Sequence, residues 1–305
     1  MNELTVIDVV NVTKRFGDYR AIDNVSFSVK KGEVVGFVGL NGAGKSTTIN
    51  LMLGFLRPTS GSVKLFGKTI LPEIAHLTHR DIGFASGDMA LFDNLSGDQY
   101  LAFLSRRYKL RDQTRVKELC DRFEPQLHKK IKELSRGNRQ KIALIGAFMA
   151  SPKLVILDEP SSGLDPLMQQ AFLELVREEG GRGTTIFMSS HYLGEVADVC
   201  SRVLLMRKGR LVTDILAHQI EAAGGKMVHA TAKYAVVPLK GAQLIQHRKT
   251  AEGHEVNFIY KGPALDVQKW LASAPPLTDL TITEYSLEAA FSELYAKDAG
   301  EEPHV

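Results

Sequence analysis

Apolar residues recur along this chain with two spacings. Some form short continuous runs, at Val34, Val35, Phe37 and Val38, at Leu154 to Leu157 and at Val203 to Met206, and Thr184 to Met188 reads as a further strand of the same kind. Such runs, without alternation, describe strands covered on both faces. Elsewhere the spacing is helical. Gln99 to Leu110 carries Leu101, Leu104 and Tyr108, Thr114 to Phe123 carries Val116, Leu119, Cys120 and Phe123, and Ser135 to Ala150 carries Ile142, Ile145, Ala147 and Met149. Pro125 and Pro152 end the second and third of these helices, because proline lacks the N–H that continues the ladder. Two more helices are expected, from Thr47 to Leu56 and from Leu193 to Cys200.

The beginning of the chain has a different texture. Residues 4 to 12 and 25 to 29 alternate or run apolar on either side of KRFGDYRAIDN, a polar and turn-rich link, which predicts a small, mostly antiparallel sheet beside the core. Arg57-Pro58-Thr59-Ser60-Gly61 turns the chain into SVKLFGKTI, a strand closed by Gly67. Another strand, Asp81 to Ala85, follows a polar link holding His76 and His79, which read as solvated loop residues. A hairpin at Lys208-Gly209 leads to Leu211 and Val212. Strands alternating with helices predict an α/β core, with the three middle helices inserted at about 90–150 as a subdomain able to rotate against it.

Near residue 221 short strands are predicted at Tyr234 to Val237, Gln243 to His247 and Glu255 to Tyr260, parted by glycine-bearing turns. A helix at Ala264 to Leu271, a break at Pro275-Pro276, a strand at Leu277 to Thr283 and a helix at Leu287 to Tyr295 follow. The expected organisation is a domain over 1–220 and a small α+β domain over 221–305, the latter without a catalytic constellation.

Composition narrows the possible functions. The 305 residues, 44% of them hydrophobic, suffice for one large or two smaller cores. With 38 basic and 35 acidic residues the formal charge is only +3, and no long basic run is present, so no nucleic-acid partner is expected. The apolar stretches fall far short of the roughly 18 residues that a membrane span needs. MNELTVIDVVNVTKRF lacks the marks of an export signal, which places the expected location in the cytoplasm. Cys120 and Cys200 have no ligand spacing around them and read as reduced packing residues.

The chemistry concentrates at strand ends. Gly39 to Ser46 matches G-x-x-x-x-G-K-S between a predicted strand and a predicted helix, the context a phosphate cradle requires. Gly39, Gly42 and Gly44 permit a tight turn whose N–H groups aim inward, with Asn41 in the same loop, and the helix, opening at Thr47, brings its positive end to the same point. Lys45 is placed to reach the β- and γ-phosphates, and the Ser46 hydroxyl to sit on Mg²⁺. At the end of the strand LVILD, Asp158 is a candidate Mg²⁺ ligand, and Glu159 is a candidate for orienting the attacking water. His191 follows the next strand end, either as an ordinary surface histidine or as a γ-phosphate partner that keeps water and Glu159 in register. Phe16 and Tyr19 are both candidates to stack on adenine.

Together with LSRGNRQK at Leu134 to Lys141, which is similar to LSGGQ, and with SSGLD at Ser161 to Asp165, these motifs resemble, in this order, the nucleotide-binding subunits of ABC transporters over roughly residues 4–220. The resemblance implies a P-loop NTPase fold of ABC ATPase type, with an antiparallel β subdomain and a helical insert, and an ATPase that uses Mg²⁺. It also implies a head-to-tail dimer, of identical or related subunits, that sandwiches two ATP molecules. Ser135 and Gly137 of one subunit would meet the γ-phosphate held by Lys45 of the other, Asp165 would lie in the loop linking the two sites, Phe16 would be the adenine-stacking ring, and His191 would serve the γ-phosphate. A separate integral-membrane permease is the implied partner, with this chain peripheral on the cytoplasmic face. ITEYSLEAAFSELY resembles the C-terminal extension of subunits serving exporters of drugs, antibiotics, lipids or cell-surface compounds, an extension open to a regulatory role, a dimer contact or the binding of a small ligand, of which the dimer contact is favoured.

Two departures stand out. Arg136 and Asn138 replace the common Gly and Gln, a variant similar to exporter-type subunits. Gly87 stands where the family has a glutamine that reports nucleotide state, and Asp88 is the candidate substitute through water, which implies coupling that is weaker or differently built. A soluble ABC-type switch acting on a ribosome, DNA or protein is the other class considered, and the single cassette, lacking heptads and zinc ligands, speaks against it.

Overall fold

The computed structural model describes residues 4–87, 90–217, 225–250 and 253–284. The chain divides into two compact units, the first ending at Ala217 and the second beginning at His218.

The non-alternating runs become the central sheet of the first unit. β3 (Val34–Val38), β6 (Ile82–Ser86), β7 (Leu154–Asp158), β8 (Thr185–Ser190), β9 (Arg202–Arg207) and β10 (Arg210–Leu216) pair in the order β10-β9-β3-β8-β7-β6. All neighbours are parallel except β10 with β9, and β3, β7 and β8 are buried at every position. Parallel strands are joined by crossovers whose helices cover both faces, so neither face can be polar.

Among the helices, α1 (Lys45–Met52) stops short of the expected Leu56, because Gly54 adopts a φ of 71° and turns the chain out of the helix. A long helix, α5 (Pro166–Gly181), was not anticipated. Its signals are nevertheless in the sequence: Asp165 accepts the Met168 N–H at 3.0 Å as an N-cap, and Pro166 occupies the first turn. Met168, Phe172, Leu175 and Val176 form its buried stripe.

The small sheet is antiparallel, in the order β2-β1-β4-β5, from β1 (Thr5–Phe16), β2 (Tyr19–Lys30), β4 (Ser60–Leu65) and β5 (Lys68–Thr69). The stretch expected as a polar link is mostly strand. The β1–β2 ladder continues to Phe16 opposite Tyr19, through several register shifts, and only residues 17 and 18 turn. Backbone hydrogen bonds make a ladder whether or not its side chains face a core, so this exposed part carries no apolar alternation. The two sheets are joined by Phe27, which stacks on Phe187 at 5.7 Å between ring centroids, while Phe37 lies 5.1 Å from Phe187.

The middle third forms α2 (Gly97–Tyr108), α3 (Thr114–Phe123) and α4 (Arg136–Phe148), all near their expected limits. Ser96 and Gln99 close a reciprocal capping box at the start of α2. Arg115 of α3 reaches Glu179 of α5 at 2.5 Å and Arg122 reaches Glu178 at 2.7 Å, tying this subdomain to the core. Glu179, 3% exposed, also accepts from Arg182 at 2.7 Å and Thr184 at 3.2 Å, which compensates its desolvation. His79 is half-buried rather than solvated, with a ring nitrogen 2.8 Å from the Leu53 carbonyl oxygen.

The described residues of the second unit form an antiparallel sheet in the order β12-β13-β11-β14, with one helix among them. Its elements are β11 (Lys226–Ala232), β12 (Gln243–Thr250), β13 (Gly253–Tyr260), α7 (Ala264–Ser273) and β14 (Leu277–Glu284). The strand expected at Tyr234 to Val237 does not form. Pro238 follows it, and only Val236 of its large residues turns inward, while the Val237 carbonyl accepts the Trp270 indole N–H at 2.8 Å. β11 takes the place instead, with Val228, Ala230 and Ala232 in a core shared with Val256, Phe258 and Trp270. The helix expected at Leu287 to Tyr295 lies outside the described residues. Among the described residues no helix is long and apolar enough to cross a membrane.

The Phe27–Phe37–Phe187 contact predicts that Phe187→Ala lowers the unfolding free energy by about 3–5 kcal/mol. Urea titration measures this, and a loss under about 1 kcal/mol would mean that the ring is not a main support of the junction.

Candidate nucleotide site

Three neighbouring strands bring the candidate residues to one edge. β8 lies between β3 and β7, with Val38 opposite Ser190 and Asp158 opposite Ser189, so the loops after β3, β7 and β8 leave the sheet together. The chain beyond Val38 enters the glycine loop, where Gly42 and Gly44 take φ values of 80° and 107°. Gly44 is required twice over. Its φ disfavours any side chain, and a Cβ there would lie 2.7 Å from Ile22 Cδ1 and 2.9 Å from the Ala21 carbonyl oxygen.

Lys45 is only 5% exposed. A buried ammonium must be paired, and its Nζ donates to the Gly39 carbonyl at 2.5 Å and lies 3.0 Å from Glu159 Oε1. Glu159 Oε2 accepts from His191 Nδ1. Burial pushes the Glu159 carboxyl up, but the hydrogen bonds from His191 and Lys45 outweigh it and hold the group below its ordinary value. Glu159 itself sits at a φ of 51°, a left-handed conformation that costs about 1–3 kcal/mol and is found where surroundings over-determine it. Those surroundings are visible. The Glu159 N–H donates to Ser189 Oγ at 3.0 Å, Ser189 Oγ donates to Asp158 Oδ1 at 2.6 Å, and Gln140 Nε2 donates to the Pro160 carbonyl at 2.8 Å.

A cavity of about 420 Å³ opens beside this set, lined by Phe16, Tyr19, Asn41, Gly42, Gly44, Lys45, Ser46, Thr47 and Glu159 together with Ala21, Leu40 and Ala43. Both candidate aromatics line it, so its geometry does not choose between them. Gly39 contributes through its carbonyl, and Asp158 and His191 stand behind Glu159 through the hydrogen bonds above. Ser135, Gly137 and Asp165 do not line the cavity of their own chain. Ser135 caps α4 by accepting the Asn138 N–H at 3.3 Å, Gly137 is pressed against the Gly163 carbonyl, and Asp165 caps α5. Asp88 lies outside the described residues.

Gly87 has a steric reason of its own. Its N–H donates to the Asp158 carbonyl at 2.9 Å, and a Cβ there would lie 2.9 Å from the Glu159 carbonyl oxygen and 3.1 Å from Ser162 Cβ. A side chain at this position would displace the loop that carries Glu159. Ser189 was missed in the sequence, although two serines closing the apolar run Ile186 to Met188 are a signal, since buried hydroxyls need partners.

Residues 22–162 match the family model described as "ABC transporter". The protein named "Uncharacterized ABC transporter ATP-binding protein YhaQ", from Bacillus subtilis (strain 168), is 30% identical over 94% of this chain and 98% of its own length. "Probable multidrug ABC transporter ATP-binding protein YbhF", from Escherichia coli (strain K12), is 37% identical over 68% of this chain, and the match spans only 36% of that protein. Among solved structures, cbiO1 from Clostridium perfringens, described as part of the ABC transporter complex cbiONQ, superposes with a TM-score of 0.62 at 28% identity, covering 72% of this chain and 92% of that one. The family model spans the glycine loop, Lys45 and Glu159 but neither Phe16 nor His191, and the likeness to YhaQ runs nearly end to end. On the strength of that end-to-end likeness the chain belongs to the family of ABC transporter ATP-binding proteins.

Proposed function

We propose that this chain binds and hydrolyses ATP with Mg²⁺ and, paired with an identical or related subunit, powers a separate membrane permease that exports its cargo. The observation that carries the reading is the single hydrogen-bonded set of Lys45, Glu159 and His191, of which Lys45 and Glu159 line the glycine-loop cavity. The N–H groups of residues 42–47 and the positive end of α1 hold phosphate oxygens. Lys45, now paired with carbonyl and carboxylate oxygens, makes the same kind of contact with β- and γ-phosphate oxygens. Glu159, kept ionised by its partners, orients the attacking water and takes its proton, and His191 holds that carboxylate in place. Phe16 offers adenine a flat face at the rim.

Ser46 and Asp158 would hold Mg²⁺, which would supply charge neutralisation at the phosphates. Such an ion takes most of its ligands from water and phosphate rather than from an all-protein cage. A hydroxyl with one carboxylate is therefore a fitting donor set, and among the described residues no cluster of three or more His, Cys, Asp or Glu side chains offers a metal another place.

Ser135 and Gly137 lie outside their own chain's cavity, which suits contact with nucleotide held by the partner subunit, with Asp165 in the loop between the sites. In this reading residues 1–220 form the cassette, the insert at 90–150 passes closure to the permease from the cytoplasmic face of the membrane, and residues 221–305 form an accessory domain in the dimer contact. Export is supported by the word "export" in the name of a similar protein, "Nod factor export ATP-binding protein I" from Burkholderia orbicola (strain AU 1054). Gly87 fits no reporting side chain, which supports coupling built differently from that of glutamine-bearing relatives.

Purification of the chain from gently solubilised native membranes is expected to bring down a multi-span protein in fixed ratio. Recovery with a ribosome, DNA or a soluble protein alone would replace the transport reading with that of a nucleotide-driven switch. Lys45→Ala and Glu159→Gln are each expected to lower kcat for ATP about 100-fold or more. Robust steady-state turnover by the Glu159→Gln protein would remove Glu159 from its role.

The electrostatics give a second test. Because the folded-state pKa of Glu159 lies below its ordinary value of 4.5, its pairing stabilises the fold at neutral pH and is lost as pH falls through the depressed value. Without nucleotide, the wild type should exceed Glu159→Gln in stability by about 1–2 kcal/mol at pH 7, allowing for partial exposure. The gap should close below pH 4.5, the ordinary value. A gap independent of pH in thermal unfolding would contradict the pairing.

A further inference from the structure

Glu159 and His191 stand on different loops, and their hydrogen bond survives only if those loops keep one register. Glu195, in the first turn of α6 (Leu193–Val199), joins them. Its Oε2 accepts from Ser161 Oγ at 2.9 Å and from Ser190 Oγ at 3.2 Å. Ser161 lies two residues beyond Glu159, and Ser190 immediately precedes His191. Both serines are buried, at 8% and 1% exposure, so neither hydroxyl can turn to bulk water for a partner. Ser190 Oγ also accepts the Tyr192 N–H at 2.9 Å, which leaves its own proton for Glu195.

The base of this clamp is fixed by the sheet. α6 presses Val196, 0% exposed, against Gly36 of β3 so closely that a Cβ at position 36 would lie 1.8 Å from Val196 Cγ1. The residue before Val196 therefore cannot drift. Ser189 already ties β8 to Asp158 and to the Glu159 N–H on the other side of the same strand end. Ser189 and Ser190 thus bind the β7 loop at two separate points, one directly and one through Glu195.

We infer that Glu195 is a positioning residue: by holding the Ser161 and Ser190 hydroxyls on one carboxylate oxygen, it keeps His191 hydrogen-bonded to Glu159. Its consequence for turnover rests on the ATPase reading above, whereas its effect on the Glu159–His191 pair does not. Both hydroxyls converge on the same oxygen, so an amide with a single carbonyl oxygen can receive both. Glu195→Gln should keep the clamp, and Glu195→Ala should lose it.

The test uses the full chain. For Glu195→Ala, kcat for ATP should fall about 10- to 100-fold, as for a misplaced reacting group, with KM changed less than about twofold and with Glu195→Gln close to wild type. Independently of turnover, the His191 ring signals in nucleotide-free protein can be identified by NMR from their loss in His191→Gln. In Glu195→Ala they should move toward their positions in Glu159→Gln, and in Glu195→Gln they should not. Ser161→Ala and Ser190→Ala remove the donors without touching α6 and should shift the same signals, which covers the case in which Glu195→Ala does not fold. Unmoved His191 signals in the serine variants or in Glu195→Ala, or equal loss of kcat in the Ala and Gln variants, would overturn the clamp. If the wild type binds no ATP, the functional reading falls, and the NMR comparison still decides the clamp.

Discussion

The parallel pairing of β3, β8 and β7 is the constraint on which the rest of the site depends. Parallel strands end on one edge, so three stretches far apart in the chain release their loops within hydrogen-bonding reach. Each strand is buried along its whole length, and the polar groups that meet the candidate residues, Asp158, Ser189 and Ser190, come at that edge. The apolar layer beneath, with Phe37 and Phe187 in ring contact, therefore supports the chemistry above it. A slip in that layer would part Lys45 from Glu159 before it unfolded anything.

Two costs are concentrated at this edge and offset each other. Lys45 is almost fully buried, and Glu159 is held at a left-handed φ. Neither is favourable alone. The ammonium is compensated by the Gly39 carbonyl and the Glu159 carboxylate, and the Glu159 backbone is held by Ser189 and by the Gln140 contact with Pro160. Partners that fix a strained residue also fix where its carboxylate points, which is the preorganisation that positioning of a water requires. The same tightness accounts for Gly87, since its neighbours leave no room for a side chain beside the Glu159 loop.

Much of this was legible in the chain. The glycine loop, the acids at the end of LVILD and the helix caps are local features, each determined by neighbours within a few residues. Where local signals were thin, reading failed: β11 hid among small and polar residues, and the β1–β2 ladder ran on through a polar segment in which only Ala21 and Ile22 are buried. α5 is different, because its cap, its proline and its apolar stripe were all present. Ser189 and Ser190 are signalled by the apolar run they close, but which groups they and Glu195 hold is not, because a buried serine or glutamate has meaning only through its partners.

The sequence by itself determined which chemistry is available: a loop suited to cradling an anion, a lysine within it, and carboxylates at the end of a buried strand. Those properties follow from backbone freedom, charge and hydrophobic periodicity, all short in range. Tertiary structure alone decided which groups meet. It put β8 between β3 and β7, and so placed His191 on Glu159 and Glu159 on Lys45, while leaving Ser135, Gly137 and Asp165 away from their own chain's cavity. Strand order comes from the packing of whole faces against one another, and no spacing along the chain encodes it.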